Sequence, residues 1–215
     1  MLISSQQSRF FGKRAVCAGF TLIEMLVVAA IIMILTAVFL FQQSRFDSAT
    51  ILRSLAYSTA LSVRQAQVYG TSVLGTGASD TAFAPAYGVH FSATDNDYYT
   101  LFADQAPVNG RYDAGEEIKV FSLGNNYRIS KLCARLASNY HCSPGDSAVG
   151  SLQILFKRPN PDAQFLLLNA GGSAFPGELY ASAYIQIRSN EGTYRNVLVY
   201  ATGQVSVLAP NTDPI

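Results

Sequence analysis

The chain has 215 residues, a formal net charge of +1, 49% apolar residues and only 13% charged ones. That excludes wholesale disorder, and the length suits one ordinary domain plus an appendage. Arg9, Lys13 and Arg14 are the only charges in the first 19 residues, which leaves 12 basic against 14 acidic residues in the rest. So neutral a body gives no electrostatic reason for an obligate nucleic-acid partner.

From Phe20 to Phe41 the chain reads FTLIEMLVVAAIIMILTAVFLF, with no Gly or Pro and one charge, Glu24. As a helix these residues reach about 33 Å, close to the hydrocarbon thickness of a bilayer. The three cations before the run predict a cytoplasmic N-terminus by the positive-inside rule. The remainder is then expected in the periplasm, on a single-pass inner-membrane anchor. A secretory signal peptide fits poorly, because its apolar stretch is shorter and ends in small residues. A lipoprotein signal fails because Cys17 precedes the run. A plain signal anchor explains the span but leaves Glu24 without a purpose, since an ionisable group there costs roughly 2.5–3.5 kcal/mol.

The stretch Gly19-Phe20-Thr21-Leu22-Ile23-Glu24, after a short basic leader and before a long apolar helix, resembles the signal of type IV prepilins and type II secretion pseudopilins. In that family a prepilin peptidase cuts after the glycine and methylates the new N-terminal phenylalanine. The resemblance implies removal of residues 1–19, methylation at Phe20, and an assembly role for Thr21 and Glu24. Physical chemistry agrees with that transfer. Cleavage creates a positive amine on Phe20, and Glu24, one helical turn along, is placed to meet such an amine on a neighbouring subunit. Two charges that are each costly in lipid become tolerable as a pair.

Residues 42–70 lack Pro and, before Gly70, Gly. Phe46, Ala49, Leu52, Leu55 or Ala56, Thr59, Val63 and Ala66 recur at steps of three and four, which predicts an amphipathic continuation of the helix. Arg45, Asp47, Arg53, Arg64 and Gln67 fall off that stripe, and Gly70 reads as a C-cap. Residues 71–215 form a β-rich head. Strands are predicted at Tyr87–Ser92, Tyr98–Phe102, Ile118–Leu123, Tyr127–Lys131, Leu152–Lys157, Tyr180–Arg188, Thr193–Ala201 and Gln204–Leu208. Turns at Ser189-Asn190-Glu191-Gly192 and Thr202-Gly203 make the last three a meander. The fold class is α+β, a long N-terminal helix packed on an antiparallel sheet, as in the pilin fold. The head is also similar to the minor pseudopilin H and FimT-like branch. FimT-like members often carry a basic residue after the glycine of the closing hairpin, where this chain has Gln204, so the nucleic-acid role known in that branch is not expected.

In an oxidising periplasm Cys133 and Cys142 suit a disulfide, an even pair once the first segment is gone. Zinc held by Cys133, His141 and Cys142 is the sharper alternative, but adjacent His141 and Cys142 are awkward for a tetrahedral site. The segment Asp104–Glu117 is similar to the second half of a calcium loop, with Asn109, Asp113 and Glu116 as candidate ligands. Its first half has Gln105 and Pro107 where acids belong, so a polar surface loop is preferred and no cofactor is expected. Neither His90 nor His141 lies in a catalytic motif, and Gly75-x-Gly77 and Gly171-Gly172 read as turns. The expected function is structural and not enzymatic: a minor subunit of a secretion pseudopilus or a type IV pilus. Its partners are the prepilin peptidase, other pilin-like subunits, the inner-membrane assembly platform and, before assembly, lipid. The alternative is a pilin-anchored adhesin or DNA-binding module.

Overall fold

The computed structural model describes residues 19–72, 86–105, 107–124, 126–136, 139–145, 149–175 and 179–214, without the side chains of 41–47. The basic leader with Cys17, the side chains of Arg45, Phe46 and Asp47, and Gly75 to Gly77 therefore lie outside the described residues. The chain forms two compact units, Met1–Arg45 and Phe46–Ile215. Helix α1 is assigned over Leu22–Thr71, with its first 24 residues in the first unit.

In the second unit ten strands make two antiparallel five-stranded sheets, where the sequence led us to expect one. The strands are β1 (Ala86–Ser92), β2 (Tyr98–Asp104), β3 (Glu117–Ser122), β4 (Tyr127–Leu136), β5 (Asn139–Ser143), β6 (Val149–Lys157), β7 (Ala163–Asn169), β8 (Ser182–Ser189), β9 (Tyr194–Tyr200) and β10 (Val205–Val207). The first sheet runs β3-β2-β1-β6-β7 and the second β10-β9-β8-β4-β5. The expected meander of the last three strands is present. Gly192 and Gly203 close its turns by donating to Ser189 O and Tyr200 O at 3.0 and 2.8 Å, both in the left-handed conformation that favours glycine.

One apolar core joins the helix to both sheets. It takes Leu52, Val63 and Ala66 from α1, Val89, Phe91, Leu101, Ile154 and Phe156 from the first sheet, and Ile129, Leu132, Ile185, Ile187 and Val199 from the second. Of the predicted stripe, Leu52, Ala56, Thr59, Val63 and Ala66 are buried, whereas Ala49 is exposed. Two further helix positions depart from the sequence reading. Gln67 is buried, because its amide donates to Pro161 O and Gly203 O at 2.8 and 3.2 Å across the unit. Gly70 is not a C-cap: it is helical, and Phe156 lies against it.

The first sheet buries both faces, and its outer face explains the segment Asp104–Glu117. Ala86, Phe102 and Leu155 form a second apolar cluster there, with Tyr112 and Leu166 packed on it. The carboxylate of Asp104, 1% exposed, accepts the N–H groups of Asn109 and Gly110 at 3.2 and 3.0 Å. Glu116, 6% exposed, accepts those of Gln105 and Asp113 at 2.8 and 2.9 Å. Buried acids with backbone partners hold a loop firmly, since each bond to a charged acceptor contributes about 1.5–3 kcal/mol. The segment between β2 and β3 is the expected polar surface loop, with most of its residues exposed, and the two buried acids at its ends pin it to the sheet as a flap.

Tyr112 lies over His90 with ring centroids 4.6 Å apart, and its N–H donates to buried Gln153 Oε1 at 2.8 Å. Burial lowers the His90 pKa to about 4, while Asp95 pulls weakly the other way. The unfolded histidine takes up a proton below its ordinary value near 6.5, whereas the folded one resists until about pH 4. Stability should therefore fall as pH drops through that window, by about 2–3 kcal/mol at its lower end. We expect His90→Leu to flatten this part of the dependence in denaturant unfolding at pH 7 and pH 4.5. Equal slopes in parent and variant would show that His90 does not carry it.

Candidate functional site

Two features of the first unit bear on function, the start of α1 and its apolar run. Thr21 is the N-cap: its Oγ1 accepts the Glu24 N–H at 3.3 Å, and its carbonyl accepts the N–H groups of Glu24 and Met25 at 3.1 and 3.2 Å. The pattern Thr21-x-x-Glu24 is that of a capping box, a signal the sequence reading passed over. Only half of the box is made, because the Glu24 carboxylate has no hydrogen bond or ion pair among the described residues. The cap thus starts the helix without using the carboxylate. Gly19 and Phe20 precede the helix and are exposed, Phe20 at 76%, and no atom lies within 4 Å of where a Cβ on Gly19 would stand. The peptide bond between them is accessible.

Leu22–Leu40 has a mean hydropathy of 2.8 and none of it is buried within the chain, long and apolar enough to cross a membrane. A helix apolar on all sides needs lipid or neighbouring helices around it. Its one hydroxyl, on Thr36, donates back to Ile32 O at 2.5 Å and so presents no unpaired donor. Glu24 is left as the one charged side chain of the run.

The other candidates divide. Cys133 and Cys142 face each other across β4 and β5 with Cα atoms 4.2 Å apart and are joined in a disulfide. Both sulfurs are consumed by that bond, which overturns the zinc alternative. His141 instead lies among rings, 6.0 Å from Phe175 and 6.3 Å from Tyr180. In the chain-entropy picture so short a ring contributes roughly 2.5–3 kcal/mol. It also ties down the edge strand β5. Tyr184 packs on the bridge, and burial pushes its pKa up to about 12. Of the calcium candidates, Asn109 Nδ2 donates to Asp113 Oδ2 at 2.5 Å, and both oxygens of Glu116 already accept backbone N–H groups. Among the described residues no group of three or more His, Cys, Asp or Glu side chains is placed to hold a metal ion.

Compared with known proteins, residues 14–40 match the family model described as the prokaryotic N-terminal methylation motif. No curated protein and no solved structure matched the chain. The matched segment contains Gly19, Phe20, Thr21, Glu24 and most of the apolar run, and it is a type IV pilin-like signal. Such a motif implies processing by a prepilin peptidase, membrane anchoring and pilin-type assembly in general, and its family is structural, not enzymatic. The α+β architecture is consistent with a pilin-like fold.

Proposed function

We propose that this chain is the precursor of a minor pilin or pseudopilin, a structural subunit of a type II secretion pseudopilus or a type IV pilus. Residues 1–19 are its leader. A prepilin peptidase cuts between Gly19 and Phe20 and methylates Phe20, residues 20–41 hold the subunit in the inner membrane and then in the fibre core, and the head faces the periplasm. The observation that carries this reading is the methylation motif at residues 14–40, which runs into an apolar helix whose one acid has no hydrogen-bond or ion-pair partner among the described residues. Thr21 supports it by starting the helix immediately after the cleavage point. Phe20 then presents its new amine at the helix N-terminus, where the Glu24 of a neighbouring subunit can neutralise it. The pair fixes axial register between subunits, because the two charges are tolerable in an apolar core only when they meet. Other pilin-like subunits and the inner-membrane assembly platform are the partners of this reading.

Mass spectrometry of the chain, recovered from a bacterium with an active prepilin peptidase, tests it. The expected mature protein lacks residues 1–19 and begins at a methylated Phe20. A chain that keeps its leader in such cells, or is cut elsewhere, would overturn the proposal.

A further inference from the structure

We propose that the second sheet carries a binding site for a small phosphate-bearing ligand, in a cleft lined by Arg128, Lys131 and Arg188. The cleft has a volume of about 250 Å³, and Asn96, Ser130 and Ser143 also line it. It exists because β5 is shorter than its neighbour. β5 pairs with β4 only from Leu132 to Leu136, so residues 128–131 have β8 on one side and a notch on the other. The loop after β1 approaches that notch, with Asn96 O accepting the Ile129 N–H at 2.7 Å.

Three observations make this more than a scatter of surface cations. The pairing of β4 with β8 shifts between Ile129 and Lys131, so Ser130 is an extra residue. Arg128 and Lys131, three apart, would sit on opposite faces of a regular strand. The bulge returns Lys131 to the side of Arg128, as bulges do where a side chain must be re-aimed. Arg128 also stands directly opposite Arg188 across the strand pair. Like charges so placed destabilise a sheet unless an anion lies between them. Finally, none of the three makes a hydrogen bond or ion pair with a described residue, and the described lining contains no acid. Asp213, in the tail after β10, is held by Asn196 and Gln186 at 3.2 and 3.4 Å. Asp97 lines a neighbouring hollow that shares Arg128.

Three cations with serine and asparagine side chains around them match a doubly charged oxyanion better than a single carboxylate. Two arginines can each offer paired donors to its oxygens, and Lys131 adds a point charge. The concave form and size suit a phosphomonoester of sugar dimensions. This assignment does not depend on how the N-terminus is processed.

The test is a titration of the full chain in uncharged detergent micelles, followed by NMR, with inorganic phosphate, a hexose phosphate and succinate at constant ionic strength. Both phosphates should bind saturably, the hexose phosphate more tightly if the natural ligand is a phosphorylated sugar and inorganic phosphate at least as tightly if it is the free ion. Arg188→Gln and Arg128→Gln should each weaken them about ten-fold or more, in line with loss of a charge-assisted bond. Lys157→Gln, on the other sheet, should leave both affinities unchanged. Without phosphate, Arg188→Gln should melt no lower than the parent, since it removes a repulsion. The proposal is overturned by a lack of saturable phosphate binding or by equal losses in the Lys157 and Arg188 variants. It is equally overturned if succinate binds more tightly than phosphate, which would make the cleft a seat for carboxylates.

Discussion

Glu24→Ala is expected to cut recovery of the subunit in assembled fibres at least about ten-fold, while leader removal and the amount in the inner membrane stay unchanged. The reason is the amine that the proposed cleavage creates on Phe20. Inside a fibre it enters an apolar core, where an unpaired charge costs roughly 2.5–3.5 kcal/mol, enough for a hundred-fold population change. Loss of one partner leaves the other buried and uncompensated, which costs more than the pair contributes. Glu24→Gln should fail nearly as badly, because it keeps the shape and removes the charge. Thr21→Ala removes a cap worth about 1 kcal/mol and should have a milder effect through helix fraying. Immunoblots of sheared fibres against membrane fractions would decide. Incorporation of Glu24→Ala at the parental level would refute the assembly role even if cleavage at Gly19 proved correct. Processing and assembly therefore fail separately.

What the sequence disclosed follows how local each signal is. The methylation motif is a contiguous run, so Gly19, Phe20 and Glu24 could be singled out without the fold, and all three lie within the matched residues 14–40. A strand whose residue types alternate could be read as well: in Tyr184-Ile185-Gln186-Ile187-Arg188 the two isoleucines enter the main core, while Tyr184 and Gln186 are buried on the other face and Arg188 is exposed. β7 was missed for the opposite reason. Phe165 and Leu167 pack on the main core and Leu166 on the outer cluster, so the segment reads as a plain apolar run without alternation. β5 was missed because its sequence, NYHCS, is polar, and its place depends on the bridge from Cys142 to Cys133. The surface loop was legible but its anchoring was not, because the burial of Asp104 and Glu116 depends on backbone donors that only the closed loop supplies. No periodicity reveals the bulge at Ser130 either, since it is a property of how two strands pair.

The helix end gives the second large effect. Gly70→Ala should lower the stability of the head by about 2–3 kcal/mol, or roughly 5–10 °C in Tm for a unit of this size. Intrinsic preference argues the other way, because alanine is favoured over glycine inside a helix by about 1 kcal/mol. A C-cap reading would rest on a left-handed backbone, yet Gly70 is not among the glycines with positive φ. What matters is distance. A Cβ on Gly70 would stand 2.4 Å from Phe156 O and 2.8 Å from Phe156 Cβ, so either α1 or the inner strand β6 must move. Neither yields easily, since β6 pairs on one side with β1 and on the other with β7, and Phe156 itself is fully buried. Gly70→Leu should be worse, because it adds volume to a site that has no room for one methyl group. Thermal unfolding of parent and variants measures this directly. If Gly70→Ala melted at or above the parental temperature, helix preference would outweigh the contact, and α1 would not be seated against Phe156 as closely as these distances require.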